Sequence, residues 1–304
     1  MISIVITTKK ESQTLPKAIE VILEQIQNDP NFELLVVGPD QETEEITKKY
    51  PAVKYLKDED KGKPAALNLT FQKTRGEILI LTDGDVYLEK NAIKNLLKYF
   101  QRDSELCRSQ GCYSKIGAVT GCPVPTNSRK NIFGYWAHFL TNAADWTRRR
   151  KSKRNEYITC SGYLYAFRNI VKEVPVDTLV EDGIVSQMVW QNSYKIAYAP
   201  EAKVYVKFPT NIQDWFRQKI RSTGGYIQKV DARHKQLIMK HDRMRGFREE
   251  VSSGFRLFFN YPKNLKEFFW TILLYSVRLY LWLLIFWKIK ILKKRPWERV
   301  ESTK

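Results

Sequence analysis

The chain has 304 residues, of which 43% are hydrophobic, so it can bury a core and is not a disordered tail. Lys and Arg outnumber Asp and Glu by 51 to 33, and the resulting net charge of +18 attracts polyanions such as nucleic acid, anionic lipid headgroups or nucleotide phosphates. Four cysteines without a CxxC pair exclude a disulfide scaffold and favour free thiols over a zinc site. No basic segment or cleavage site marks a signal peptide, so we expect the chain to stay in the cytoplasm.

Strand and helix patterns alternate through the first hundred residues. Strand-length apolar runs lie at 2–6, 32–37, 53–56 and 77–81, and helical patterns lie at 14–27, 41–49, 64–73 and 90–100. This alternation predicts an α/β fold with a mostly parallel central sheet flanked by helices. Ligands of such sheets bind beyond the carboxyl ends of the strands, so a site is expected just after Ile6, Val37 and Leu81.

The chain from 101 to 220 has a weaker pattern. We expect irregular structure over 101–156, where the basic run 148–154 is either a solvated loop or a contact for lipid phosphates or an anionic acceptor. The later elements are an apolar segment at 157–167 interrupted by Ser161 and Gly162, a helix at 181–191, strands at 195–199 and 203–208, and an amphipathic helix at 211–220.

The most hydrophobic part of the chain is 268–287, which has the length of about 20 residues that a bilayer span needs. Arg278 lies at its centre, at a cost of roughly 2.5–3.5 kcal/mol on insertion scales, and the basic tail that follows opposes a single span from the cytoplasm. We therefore favour an interfacial helix over a spanning helix and over a helix packed on the domain. Its less apolar face would carry Thr271, Tyr275, Arg278 and Trp282.

Two carboxylates, Asp83 and Asp85, flank Gly84 at the end of a predicted buried strand. Carboxylates in that place need a partner, and Mg²⁺ and Mn²⁺ favour oxygen ligands. Gly84 would let the backbone approach a ligand closely. The alternative is an ordinary Asp-Gly-Asp turn.

Three other charged segments are suited to chemistry. Glu181 and Asp182 open a predicted helix, where they either complement its dipole or provide a general base. In the segment 218–222, Arg221 either clamps a departing diphosphate or belongs to a solvated basic face. The segment 61–68 places two lysines ahead of a helix, which suits phosphate or base recognition as well as a plain loop-to-helix junction.

In their order along the chain, these motifs resemble the large family 2 type of inverting glycosyltransferases with the GT-A fold, which includes cellulose, chitin and hyaluronan synthases and many single-sugar transferases. The resemblance covers about residues 1–230. It implies a GT-A domain at 1–232 and a helical, basic and aromatic membrane-associated region at 233–304. Ser222 stands where polymerising relatives carry a tryptophan, and this departure speaks against processive synthesis.

The resemblance also implies roles for individual residues. Asp182 would be the catalytic base beside Glu181, and Asp83 and Asp85 would bind a Mg²⁺ or Mn²⁺ cofactor. The residues expected to hold the nucleotide sugar are Thr7, Thr8, Glu11, Asp40, Lys63, Asp83, Gln218 and Arg221.

The activity implied by the resemblance is a metal-assisted single displacement that inverts the sugar. The donor would be a nucleotide-diphosphate sugar, with UDP favoured, and the acceptor a lipid-linked, polysaccharide or other glycan acceptor. The expected location is the cytoplasmic face of the cell membrane, by peripheral contact or a single anchoring segment. A nucleotidyltransferase, a basic nucleic-acid-binding module and a degenerate scaffold are the alternatives. Nucleic-acid binding gives no reason for Asp83, Asp85 and Asp182, so no nucleic-acid partner is expected.

Overall fold

The computed structural model describes residues 1–27, 29–110, 115–225, 257–285 and 303. The strands within these residues are β1 Ile2–Thr7, β2 Phe32–Gly38, β3 Val53–Lys57, β4 Ile78–Asp83, β5 Tyr87–Leu88, β6 Ile116–Pro125, β7 Leu164–Arg168 and β8 Lys195–Val206. The helices are α1 Leu15–Ile26, α2 Gln41–Lys48, α3 Lys63–Lys73, α4 Ala92–Gln110, α5 Ile132–Lys153, α6 Glu181–Gln191, α7 Ile212–Gly225 and α8 Leu265–Ile285. The strands form one sheet in the order β3-β2-β1-β4-β7-β6-β8-β5.

The first half of the sheet is parallel, with β1 between β2 and β4 and with β3 outside β2. Strands β1, β2 and β4 are apolar runs because helices cover both of their faces, whereas the edge strand β3 is partly exposed. Alternate side chains of β1 enter different cores: Ile4 and Ile6 pack with α1 on one face, and Val5 packs with α3 and α6 on the other. These strands and helices lie within one to three residues of their predicted bounds, and the predicted α/β fold is confirmed.

The second half makes the sheet mixed rather than parallel throughout. Strand β7 runs antiparallel to both β4 and β6, and β6 runs parallel to β8. The start of β7 therefore lies at the edge where β4 ends. Thr82, at the end of β4, pairs with Leu164, and its hydroxyl donates to the Tyr163 carbonyl oxygen at 2.8 Å.

The predicted irregular structure at 101–156 is wrong. This part of the chain contains the end of α4, strand β6 and the long helix α5. The basic run 148–154 is the last turn and C-cap of α5, where cations complement the helix dipole, and not a loop. The two strands predicted at 195–199 and 203–208 are one strand, β8, whose pairing with β6 shifts register.

Helix α8 packs on the domain through one face. Its Leu274 and Leu281 share a buried cluster with Trp136 of α5 and Trp215 of α7. Thr271 also faces inward, and its hydroxyl lies 2.6 Å from that of Tyr135. The face predicted to meet headgroups is thus directed at the protein.

The opposite face of α8 is apolar and exposed. Phe269, Leu279 and Leu283 are 65%, 53% and 62% exposed, respectively. In length and composition alone, Leu265–Leu284 would suffice to cross a membrane. The predicted boundary at 232/233 lies outside the described residues, so the division into two regions stays a prediction.

Candidate active site

A cavity of about 670 Å³ lies at the carboxyl edge of the parallel strands, where the strand order predicts a ligand site. Residues directly after β1, β2, β3 and β4 line it, together with the start of α6 and one side of α7. Of the residues predicted to bind donor, metal or acceptor, the structure brings all but one to this cavity. The exception is Asp40.

The end of β1 is tied to the end of β4. The Thr7 hydroxyl donates to Asp83 Oδ1 at 2.9 Å, and the Thr8 hydroxyl donates to Glu11 Oε2 at 2.9 Å. A Cβ on Gly84 would lie 2.7 Å from Thr8 Oγ1 and 2.8 Å from Glu11 Oε2. Gly84 therefore allows the loop after β1 to approach, and not a ligand as predicted.

Lys63 joins two carboxylates across the cavity wall. Its Nζ lies 2.6 Å from Asp83 Oδ1 and 3.0 Å from Glu181 Oε1. Burial opposes ionisation of both Lys63 and Glu181, but their attraction outweighs it. The pKa of Lys63 is therefore raised and the pKa of Glu181 is lowered. Lys63 and Glu181 are both charged at neutral pH, so their opposite charges compensate each other within the cavity wall.

Asp182 is the next residue of α6 and has a different environment. Its Oδ2 accepts from the Gly162 N–H at 2.7 Å, and its Oδ1 accepts from the Gly183 N–H at 2.8 Å. Burial and the neighbouring charge of Glu181 raise the pKa of Asp182 to about 6. A carboxyl with a pKa near neutrality is suited to general base catalysis.

Gln218 and Arg221 lie within α7 and face the cavity. The helix is longer than the predicted 211–220, because α7 continues to Gly225. The Gln218 amide donates to the Tyr163 hydroxyl at 3.4 Å. The charge of Arg221 helps to lower the pKa of Glu181, which places its guanidinium within electrostatic range of the α6 carboxylates.

Asp40 does not line the cavity. Its Oδ1 caps α2 by accepting from the Thr43 N–H at 3.1 Å, and its Oδ2 accepts from the Lys10 N–H at 3.0 Å. Burial opposes ionisation, but these hydrogen bonds outweigh it and lower the pKa of Asp40. In the structure the carboxylate holds the loop after β1 and the start of α2, and its role in holding the nucleotide stays a prediction.

Sequence reasoning missed several residues of the cavity wall. Asp58 and Asp60 follow β3, and the carboxyl-end rule applied to the first, second and fourth strands would have found them. Arg148 of α5 and Arg278 and Trp282 of α8 also line the cavity. The sequence analysis places Arg148 in a basic run and Arg278 and Trp282 on the less apolar face of the C-terminal helix, but their position in the cavity wall depends on how α5 and α8 pack.

The carboxylates fit a cation that is shared with a substrate. Within the described parts of the chain, no group of three or more His, Cys, Asp or Glu residues could hold a metal alone. Asp83 and Asp85 both line the cavity, and Mg²⁺ is usually held by one or two carboxylates plus substrate phosphates. Cys122 and Cys160 are free thiols, as expected, whereas Cys112 lies outside the described residues.

The Glycosyl transferase family 2 profile matches residues 3–173, which is more than half of the chain. The chain belongs to this family.

Two curated proteins and one solved structure are similar to this chain. The chain is 23% identical over 239 residues to the "Probable glycosyltransferase YdaM" of Bacillus subtilis, covering 74% of this chain and 54% of that protein. It is 25% identical over 236 residues to the "Poly-beta-1,6-N-acetyl-D-glucosamine synthase" of Staphylococcus epidermidis, with the same coverage. It thus spans about half the length of these curated relatives.

The solved structure is a mannosyltransferase, PcManGT from Pyrobaculum calidifontis, in complex with GDP-Man and Mn²⁺. It matches with a TM-score of 0.54 at 14% identity, covering 97% of this chain and 81% of the other. This similarity shows that the two chains share the GT-A fold.

Proposed function

We propose that the protein transfers a sugar, with inversion, from a UDP-sugar to a membrane-linked or polysaccharide acceptor. The observation that carries the proposal is the contrast between the two neighbouring carboxylates of α6. The negative charge of Glu181 is compensated by an ion pair with Lys63, whereas the pKa of Asp182 is raised to about 6. Two adjacent acids with different ionisation can serve different roles in one site.

The donor half of the proposed site is the edge formed by β1, β3 and β4. Thr7, Thr8 and Glu11 lie there in a fixed arrangement, which supports a role in holding the nucleotide. Asp58, beyond β3, adds a carboxylate suited to accepting hydrogen bonds from nucleotide hydroxyl or amide groups.

Asp83 and Asp85 would hold Mg²⁺ or Mn²⁺. Such an ion, when bound with the donor, neutralises phosphate charge and assists departure of the diphosphate. Lys63 and Arg221 both line the cavity and would add positive charge toward the leaving group. Gln218 would orient Tyr163 through their hydrogen bond.

Asp182 would take the proton from the acceptor hydroxyl as that oxygen attacks the anomeric carbon. The new glycosidic bond forms while the bond from carbon to the phosphate oxygen breaks, and the leaving group departs as nucleoside diphosphate. Because attack and departure occur on opposite faces, a single displacement inverts the sugar. The hydrogen bonds from Gly162 and Gly183 hold the Asp182 carboxylate in place for this step.

The acceptor would reach the cavity from a membrane. The exposed apolar face of α8 supports contact with lipid, and the inward face of the same helix lines the cavity through Arg278 and Trp282. We propose peripheral or single-segment association with the cytoplasmic face of the cell membrane.

The test is donor hydrolysis by the purified full chain. A panel of UDP- and GDP-sugars is incubated with Mn²⁺, Mg²⁺ or EDTA, and release of nucleoside diphosphate is followed. We expect metal-dependent release from one donor, its loss in Asp85→Ala, and its retention in Glu173→Ala, which removes an exposed carboxylate outside the cavity. Release of sugar 1-phosphate in place of nucleoside diphosphate would indicate a nucleotidyltransferase, because that reaction transfers the nucleoside monophosphate. Absence of nucleotide binding would contradict the proposal.

A further inference from the structure

Charged side chains divide the cavity into two halves. The half formed by β1, β3, β4 and α6 holds most of its carboxylates. The half formed by α5, α7, α8 and the end of β8, within the described residues, is cationic and contains Arg148, Lys207, Lys219, Arg221 and Arg278. We call this second wall the basic half.

The basic half also contains one carboxylate of α5, Asp145, whose charge is compensated by a neighbouring arginine. Asp145 lines the cavity but accepts from Arg149 Nε at 2.8 Å and from the Tyr198 hydroxyl at 2.5 Å. Arg149 itself points away from the cavity, since it does not line it. The ion pair of Asp145 is therefore with Arg149, which does not line the cavity.

Arg148 is the cation that α5 contributes to the basic half. It is half-buried and follows Thr141 and Ala144 along the side of α5 that faces the cavity. Burial raises the pKa of the Cys160 thiol to about 12; the charge of Asp182 adds to this rise and the charge of Arg148 opposes it. Arg148 and Asp182 thus both lie within electrostatic range of one thiol.

In the described part of the chain, no carboxylate forms an ion pair with Arg148. A half-buried guanidinium that faces a cavity without a protein counter-ion is suited to an anionic ligand. Arg221 also lacks an ion pair among the described residues, but it is assigned to the donor diphosphate. Arg148 is left for a second anion, on the acceptor side.

Helix α8 indicates what kind of molecule carries that anion. Arg278 and Trp282, one turn apart, line the basic half. Leu279 and Leu283, each the next residue along, belong to the exposed apolar face. A ligand entering here passes from an apolar surface to a cationic wall, which matches a phosphate group attached to a hydrocarbon chain.

We propose that Arg148, supported by Arg278, binds the phosphate of a lipid-phosphate acceptor and so sets the acceptor beside Asp182. This inference rests on the proposed function and names its acceptor class. The planar guanidinium can bind two phosphate oxygens at once, which a lysine cannot do. A phosphorylated sugar offers the same group, but it has no hydrocarbon chain for the apolar face of α8.

The experiment measures binding to the full chain in mild detergent, with saturating UDP and Mn²⁺ so that the donor half is occupied. The probes are farnesyl phosphate, farnesol and glucose 6-phosphate, titrated by calorimetry. We expect farnesyl phosphate to bind at least about tenfold more tightly than farnesol, the size of one charge-assisted hydrogen bond. Arg148→Gln should remove most of this preference, and Arg148→Lys should keep part of it.

Lys153→Gln is the matched control, because it removes the same charge from an exposed position on the last turn of α5. It should keep the full preference for farnesyl phosphate. UDP affinity and the thermal midpoint of each variant report on folding. If Arg148→Gln fails to fold, Arg278→Gln provides the same test from α8.

Equal binding of farnesol and farnesyl phosphate to the unaltered chain would overturn the proposal, and so would a folded Arg148→Gln variant with an unchanged preference. Glucose 6-phosphate binding as tightly as farnesyl phosphate would overturn the lipid source. The UDP titration separates this inference from the proposed function. If UDP binds but no phosphate preference exists, only the acceptor subsite fails; if UDP does not bind, the donor site fails as well.

Discussion

The raised pKa of Asp182 predicts a steep loss of activity in mild acid. A base with a pKa of about 6 is roughly 90% ionised at pH 7 and roughly 10% ionised at pH 5, so kcat/KM should fall about tenfold over this interval. With the ordinary value of 3.8, the same carboxyl would stay more than about 90% ionised at pH 5. The direction of the pH dependence follows from the role of Asp182. A base must be deprotonated to act, so activity is present above pH 6 and lost below it.

The assay is the initial rate of nucleoside diphosphate release at subsaturating donor between pH 4.5 and 8, with Mn²⁺ present. Samples held at pH 5 and returned to pH 7.5 report irreversible unfolding. Glu181→Gln removes the charge that helps to raise the pKa of Asp182, so its acid limb should move to lower pH. A flat profile between pH 5 and 7 in the unaltered chain would refute the assignment of Asp182 as the base.

Four further predictions follow from the geometry. Asp182→Asn should lower kcat about 10²-fold or more while UDP affinity, measured by calorimetry, stays within about twofold; full activity would require another base. Leu274→Ala, at a position 1% exposed, should lower the free energy of unfolding by about 2–5 kcal/mol in urea titrations. Gly84→Ala should cost about 1–3 kcal/mol of stability and raise the donor KM, because its Cβ would displace Thr8, and unchanged values would contradict that contact. The double variant Leu279→Glu and Leu283→Glu should no longer float with phosphatidylglycerol-containing vesicles, and its thermal midpoint should not change. Retained flotation would exclude this face as the membrane contact.

The sequence predicted the parallel half of the fold well. Its strands are short apolar runs buried on both faces, and Gly, Pro and Asp residues separate them from the helices, so local pattern and tertiary position agree. The antiparallel insertion of β7 could not be foreseen, since nothing local to Leu164–Arg168 specifies its direction. The direction depends on pairing with β4, more than eighty residues away in the chain.

Helix α5 was missed for a physical reason. Its buried side chains include Tyr135, Trp136 and Phe139, which contact α7 and α8 rather than the sheet. Aromatic residues on adjacent positions obscure the helical period, and the basic end of the helix resembles a solvated loop. The predicted polar face of α8 was wrong in orientation for a related reason: Thr271 and Arg278 face protein, and a single sequence does not reveal that partner.

The candidate site was predicted more fully from motif order than from any single motif. Residues that follow strand ends, such as Asp83, reach the cavity because parallel strands end at one edge. Asp40 also follows a strand end, yet its carboxylate is turned into the cap of α2. Side-chain direction within a loop depends on local hydrogen bonds, which spacing alone does not specify. Arg148 belongs to the basic run for which contact with an anionic acceptor was one alternative, but its place in the cavity depends on the packing of α5, which the sequence does not specify.

The antiparallel pairing of β4 with β7 has a consequence for how this enzyme can change. The segment that ends β4 holds the donor side, and the segment that starts β7 holds Gly162 against Asp182 on the acceptor side. Five residues of β4 pair with five of β7 in one ladder, so a slip of one residue would displace the segment before β7 by about 3.3 Å along β4 and turn the side chains of β7 to the other face. We therefore expect changes that alter acceptor choice to occur around this ladder, in α5, α7 and α8, and not within it.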